Sequence, residues 1–535
     1  MVLFIQFLPH GLTAQTRPVT FEGRVNLSSE FYDASGIKAR RPSSISRAIL
    51  QPTVTLFDQV VLPFEIYVST EDRGFRQPFN QFGVSPRLFG WMTLHAGYYS
   101  ARLSDLTFGD SRLLGGGAEL TPGSFRFSFL YGRSQQAIAP DTANGFVGTY
   151  KRTVWAGRVG VGRQNDLFFD LHLLRAVDDT ASVVNPPRGL TPKENAVASI
   201  AFGIPLFGPD AHASAEVAVS AFSNDTRSEE QGKFASRLRW LFTARTSSQV
   251  DGAAKLALRF TFSPAVGLTL NARWIGPGFV TLGYQQLQND IFDVTIGPSV
   301  RLLENKLHVR GSFGLRFNNL RNNRLATTRR TIGTANITVQ PSQSFAVDVQ
   351  YSNYGLRSTP KNDTLRIDNI TQSISVAPRY TFPSFEGTST LMASYSYQNF
   401  SDNNIVTSSR NGKHSHAASA TWSLGLPSTL SFGTRVGYNL SSASAVKVRV
   451  ITVGETVGHQ FFDKKMSVSA TVGYSVVKAT ASSGQLQGGL NASYSLDKWG
   501  RFSLSFTASQ FNDNDPLTDA LYREMIGRLQ YSYAF

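Results

Sequence analysis

Apolar and polar residues alternate along most of this chain, most plainly at its end. In "GRLQYSYAF", Leu529, Tyr531, Tyr533 and Phe535 fall on one face of an extended strand, and Arg528, Gln530, Ser532 and Ala534 fall on the other. The same period of two recurs upstream. Phe125, Phe127, Phe129 and Tyr131 oppose Arg126 and Ser128, and Leu167, Phe169, Leu171 and Leu173 oppose Phe168, Asp170 and His172. Phe345, Val347, Val349 and Tyr351 oppose Ala346, Asp348 and Gln350, while Phe502, Leu504 and Phe506 oppose Ser503, Ser505 and Thr507. Each pattern predicts a strand with one oily face and one wet face.

Two kinds of connection separate these strands. Tight turns are signalled at Asp58-Gln59, Thr121-Pro122-Gly123, Glu304-Asn305-Lys306, Pro383-Ser384, Asp463-Lys464 and similar sites. Longer polar stretches such as "EDRGFRQPFN", "NNLRNNRLATTRR" and "SDNNIVTSSRNGK" largely alternate with them. An aromatic face beside an unpaired edge invites aggregation in water, so the pattern calls for a closed sheet with its oily face against lipid. The expectation is an all-β fold, a transmembrane antiparallel β-barrel of about 26 strands, within roughly 22 to 28, with short periplasmic turns and longer extracellular loops. It occupies 15–535 as a single domain, and its last strand pairs with a first strand beginning near Val19. No segment approaches the roughly 18 apolar residues of a membrane helix.

A ring of that size is roughly 50 Å across, too wide for wall side chains to fill. Either the pore is large or another segment enters it. The stretch 223–251 is the candidate, as a lumen-folding or partner-docking loop: it is long, and its middle holds Arg237, Arg239, Trp240, Phe242 and Arg245, apolar and basic residues that need burial or a partner.

Composition narrows the function classes. Charged residues make up 17% of the chain, below the roughly 25% of a soluble domain, and the deficit is filled by small polar residues suited to a wet lining. Cysteine is absent, which excludes disulfides and thiolate chemistry. Lys and Arg number 52 against 37 Asp and Glu. The excess is scattered over strands without a nucleic-acid motif, so no nucleic-acid partner is expected; anionic headgroups or an anion-attracting lumen fit better. Residues 1–14, with the apolar run Val2–Leu8, read as a signal peptide.

The ending resembles the C-terminal signal of bacterial outer-membrane barrels. By that resemblance Phe535, Tyr533 and Tyr531 are read by the barrel assembly machinery, and the location is a bacterial outer membrane, with lipid and lipopolysaccharide as neighbours. The stretches "PFNQFGVSPRLFGWMTLHAGYYS" and "WIGPGFVTLGYQQLQND" resemble large, mostly uncharacterised outer-membrane β-barrels of the Bacteroidota. That resemblance implies architecture and location and supplies no mechanism. The plug domain of TonB-dependent transporters has no counterpart before Val19, so energised uptake is not expected.

Candidate chemistry is sparse. Neither a nucleophile elbow nor a phosphate-binding loop is present, and His414 with His416 lacks a third ligand nearby. Asp170 and His172 share a face and fit a lumen hydrogen-bond network better than catalysis. No cofactor, metal or enzyme activity is expected. Arg316, Arg321, Arg324, Arg329 and Arg330 flank one outer loop and are candidate contacts for anions or lipid phosphates. The expected function is a passive transport pore for small, preferentially anionic solutes; the alternative is a non-enzymatic scaffold that docks a protein partner, within a secretion or surface-assembly apparatus.

Overall fold

The computed structural model describes residues 18–71, 80–109, 111–141, 145–164, 166–208, 210–231, 239–284, 286–324, 326–360, 367–402, 412–443, 446–479, 481–513 and 521–535. The segment 1–14, expected to be a signal peptide, and Arg237 lie outside them. Among the described residues, 27 strand segments form one antiparallel sheet of sequential neighbours, from Val19–Ser35 to Leu521–Ala534. Gln81–Val84 and Arg87–Leu88 are two pieces of one strand, because both pair with Val60–Ser69 on one side and Met92–Ala101 on the other. The ring therefore has 26 positions.

The ring closes on itself. Arg24 lies opposite Ala534 and the register runs to Ser35 opposite Arg523. Gly23 and Phe535 exchange both backbone hydrogen bonds, at 2.9 and 3.1 Å. The Phe535 ring stacks on Phe21 at 4.8 Å. Gly23 makes that approach possible, since a Cβ there would lie 2.9 Å from the Phe535 ring and 2.8 Å from Gln51 O.

The alternation written in the sequence becomes inside and outside. On Phe125–Gln135 the aromatic residues Phe125, Phe127, Phe129 and Tyr131 are exposed on the outer face, while Arg126, Ser128 and Leu130 are buried inside. The short-turn rim carries a second apolar feature: Phe57, Phe207, Phe262, Leu303, Phe385, Phe462 and Trp499 are all exposed at or beside turn tips. An aromatic girdle of this kind suits a membrane–water boundary. Several of these turns use left-handed backbone at non-glycine residues, as at Phe57 and Asp58 (φ 51° and 55°) and Phe385 and Glu386 (φ 49° and 59°). That is the geometry of tight hairpin turns. It places the turn expected at Pro383-Ser384 two residues later, because the flanking strand runs to Ser384 and the next begins at Gly387.

The inner face is not uniform around the ring. From Tyr99 to Ile291 many inward residues are buried in a continuous apolar cluster inside the barrel. From Ile291 to the C-terminus the inward residues are mostly short and polar, and the wall holds an open recess of about 780 Å³ at the short-turn end, lined by Ser467, Ser469, Asn491, Ser493, Ser503 and Ser505 among others.

Candidate functional site in the lumen

Two connections at the long-loop end fold inward instead of outward. Residues 102–109 join Met92–Ala101 to Ser111–Leu120, and residues 276–290 join Val266–Ile275 to Ile291–Leu302. Both carry apolar side chains that water would not tolerate. Leu106, Phe108, Phe279 and Leu282 pack against the inward-facing Leu113, Leu130, Val154, Leu174 and Val197. Burying each large side chain contributes about 1.5–3 kcal/mol, which sets the direction of folding for these segments.

Polar anchors fix their position. Glu216, 1% exposed, accepts hydrogen bonds from Ser104 Oγ and from Ser199 Oγ at 2.7 Å, and pairs with Lys255 Nζ at 2.8 Å. The first inward segment thereby hangs on a wall carboxylate. In the second, Leu282 N–H donates to Asn195 Oδ1 at 2.9 Å, and Asn195 Nδ2 donates to Val280 O at 2.9 Å. Thr281 Oγ1 donates to Thr107 O at 2.5 Å, so the two segments also hold each other. At the root of the second segment, Gly276 and Gly278 lie so close to the Asp251 carboxylate that a Cβ at either would crowd it. Asp251 accepts from Gly278 N–H at 2.7 Å.

Beside these segments runs a belt of charge. Glu216, Lys255, Arg273, Asp293, Arg316 and Arg330 lie opposite one another on six successive strands, all facing the lumen. Asp293 is clamped by Arg273 at 2.8 Å and Arg316 at 3.1 Å. Arg330 lies 4.8 Å from the Tyr354 ring centroid. Cations outnumber acids along this row by four to two. On the other side of Glu216 the network continues through His172 to Ser199 (3.1 Å), Asp170 to Arg126 (2.8 Å), and Arg158 and His95 to Glu119 (3.7 and 3.1 Å).

The structure distributes the expected site residues. Of the five arginines, Arg316 and Arg330 belong to the lumen belt. Arg321 and Arg324 instead clasp the root of the inward segment, pairing with Asp251 at 2.7 Å and with buried Asp290 at 2.6 Å. Arg329 lies 5.4 Å over Phe317, on the outer face. The five are thus divided among the lumen, the clasp and the outer face.

The stretch 223–251 does not supply the lumen filling among its described residues. Trp240 stacks on Trp155 at 5.9 Å, and Trp155 shares the outer face with Tyr131, its cross-strand neighbour. Arg245 reaches Glu194 at 3.2 Å, Arg239 reaches Glu230 at 2.7 Å, and Phe242 is half-buried. The described part of this loop meets the outside of the wall, where Trp240 finds an outward-facing aromatic partner. Asp170 and His172 are engaged by Arg126 and Ser199, in a structural network. His414 and His416 sit on the outer face, where Tyr395 Oη meets His416 Nδ1 at 2.8 Å. Among the described residues no group of three or more His, Asp or Glu is placed to hold a metal.

The inward segments escaped sequence reasoning, although their signal was present. "RLSDLTFG" and "GPGFVTLGYQQLQND" each carry apolar residues in a non-alternating stretch between two strands. Such residues need burial, which marks the segments as covered by a wall without saying which face of it.

No protein-family model matches this chain, and no curated protein matches it. Among solved structures it is similar to the P pilus usher PapC translocation pore, at 11% identity and TM-score 0.38, over 96% of this chain and 99% of that one. OccAB4 of Acinetobacter baumannii aligns at 11% identity and TM-score 0.31, over 71% of this chain and 98% of that one. OprD of Pseudomonas aeruginosa aligns at 9% identity and TM-score 0.28, over 96% and 94%. At these values the likeness carries no functional argument; the barrel rests on the chain's own strand pairing.

Proposed function

We propose that this chain is a bacterial outer-membrane barrel acting as a passive transport pore for small, preferentially anionic solutes. The outer apolar face and the aromatic rim support the membrane setting. The observation that carries the transport reading is the lumen belt: Lys255, Arg273, Arg316 and Arg330 face the lumen beside the inward segments, where cations outnumber acids by four to two, and the C-terminal half of the wall presents Ser and Asn. In such an arrangement the fixed cations lower the barrier for anions while the neutral wall offers hydrogen bonds without trapping them. The terminal Phe535, Tyr533 and Tyr531 support delivery by the barrel assembly machinery, and lipid and lipopolysaccharide are the expected surroundings.

The test is planar-bilayer conductance of the purified protein under a salt gradient. Discrete open steps with a reversal potential displaced toward the chloride equilibrium value are expected, and the double variant Arg316→Gln/Arg330→Gln should lower the anion-to-cation permeability ratio severalfold. A correctly folded but silent barrel, or a cation-preferring one, overturns this reading. A silent barrel would favour a partner-docking scaffold, which the filled half of the lumen supports.

A further inference from the structure

Beneath the outward loop described above, the wall is dented. Phe129, Trp155, Leu171, Leu173, Ile200 and Val217 stand around a floor formed by Gly157 and Ala198, enclosing an apolar groove of about 810 Å³ on the outer face. The floor is low because Gly157 carries no side chain where one would fit: a Cβ there would have only Ser128 O near it, at 3.5 Å. The Trp240–Trp155 stack, with planes 11° apart, closes the groove toward the long-loop end.

The roof is cationic. Buried Glu194 holds Arg175 at 3.0 Å and Arg245 at 3.2 Å, while Glu230 holds Arg239 at 2.7 Å. Three arginines thus meet two glutamates. Arg239 and Trp240 remain more than half exposed, at 62% and 58%. In a barrel set in lipid, Trp and Arg together mark the headgroup level, and the groove below them lies at the level of the acyl chains. Burial of hydrocarbon selects nothing there, since lipid tails are as apolar as the wall. Shape and charge select: a dent the width of a chain, with guanidinium groups above it that favour phosphate oxygens.

We propose that this groove holds an acyl chain of an anionic, phosphate-bearing lipid of the outer leaflet, whose phosphate meets the exposed Arg239. The proposal rests on the membrane reading above. It also accounts for the loop's outward course, because the loop supplies the headgroup half of the site.

The experiment uses the full-length protein in nanodiscs of phosphatidylcholine with a minor fraction of phosphatidylglycerol, released gently and weighed by native mass spectrometry. One retained phosphatidylglycerol per wild-type barrel is expected. Gly157→Leu/Ala198→Leu, which fills the groove without a backbone clash at Gly157, should cut retained lipid at least tenfold while preserving the heat-dependent gel shift of the folded barrel. Arg239→Gln should keep a lipid but lose the preference for phosphatidylglycerol. Wild-type protein that enters nanodiscs yet retains no lipid, equal retention by the filled variant, or an unchanged preference in Arg239→Gln overturns the site. Failure of the folded wild type to enter nanodiscs overturns the membrane reading itself, and the site with it.

Discussion

Phe385 and Glu386 show what single residues contribute to this barrel. Both hold left-handed backbone in a two-residue turn, a conformation in which a side chain costs energy that Asn or Gly avoids. Yet Phe385 is among the most exposed apolar residues of the chain, 76% accessible at the short-turn rim. A strained but oily turn tip makes sense as a membrane-surface anchor. Replacing Phe385-Glu386 with Asn-Gly is expected to stabilise the barrel by about 1 kcal/mol in detergent, where the anchor is irrelevant. In bilayers the gain should shrink or reverse, and thermal unfolding in the two media measures the difference.

At the scale of elements, the inward segment 276–290 is held from outside. Asp251 and Asp290 receive Gly278 and Leu320 N–H groups, and Arg321 and Arg324 close over them from the neighbouring loop. Asp290→Ala removes the acceptor of the half-buried Leu320 N–H and the partner of the half-exposed Arg324, and should weaken this clasp by about 1 kcal/mol. Larger, noisier conductance steps and new protease cleavage within 276–290 are the expected results. A second element can be tested by acid. Asp225 lies in the outward loop, and its carboxyl is held below the usual range by hydrogen bonds from the Arg227 side chain, at 2.9 Å each. Because the folded value is depressed, this contribution is complete above the ordinary carboxylate pKa and fades as pH falls through the lowered value. Hydrogen exchange in that loop, corrected for intrinsic rates, should accelerate as pH is taken below the ordinary carboxylate range, relative to neutral pH.

For the whole molecule, closure is the decisive event. Twenty-six strand positions become a barrel only when Val19–Ser35 finds Leu521–Ala534, nearly the full length of the chain away. Phe535 sits on that seam, stacked on Phe21 and bonded through its backbone to Gly23. Phe535→Ala keeps the backbone bonds and removes the ring. If the ring serves chiefly as an assembly signal, the variant should refold normally into detergent micelles yet reach the membrane in reduced amount, read as the heat-modifiable fraction on gels. Equal loss in both assays would assign Phe535 to seam stability.

By itself, the sequence determined the strands, their alternation of faces and the side on which short turns lie. Those properties are local: residues such as Phe125 to Tyr131 declare a strand with an outward apolar face within seven positions, and the turns at Asp58 or Asp463 follow from backbone preferences of a few residues. Only the tertiary structure decided which connections enter the lumen. Leu106, Phe279 and Trp240 all carry the same message, that an apolar side chain outside a strand needs cover, and nothing local says whether that cover is the inner wall or the outer one. The answer depends on which partners stand across the ring, Leu130 and Leu174 inside or Trp155 outside. For the same reason the belt from Glu216 to Arg330 was invisible as a unit: its members are scattered over more than a hundred residues, and strand register alone brings them into one row.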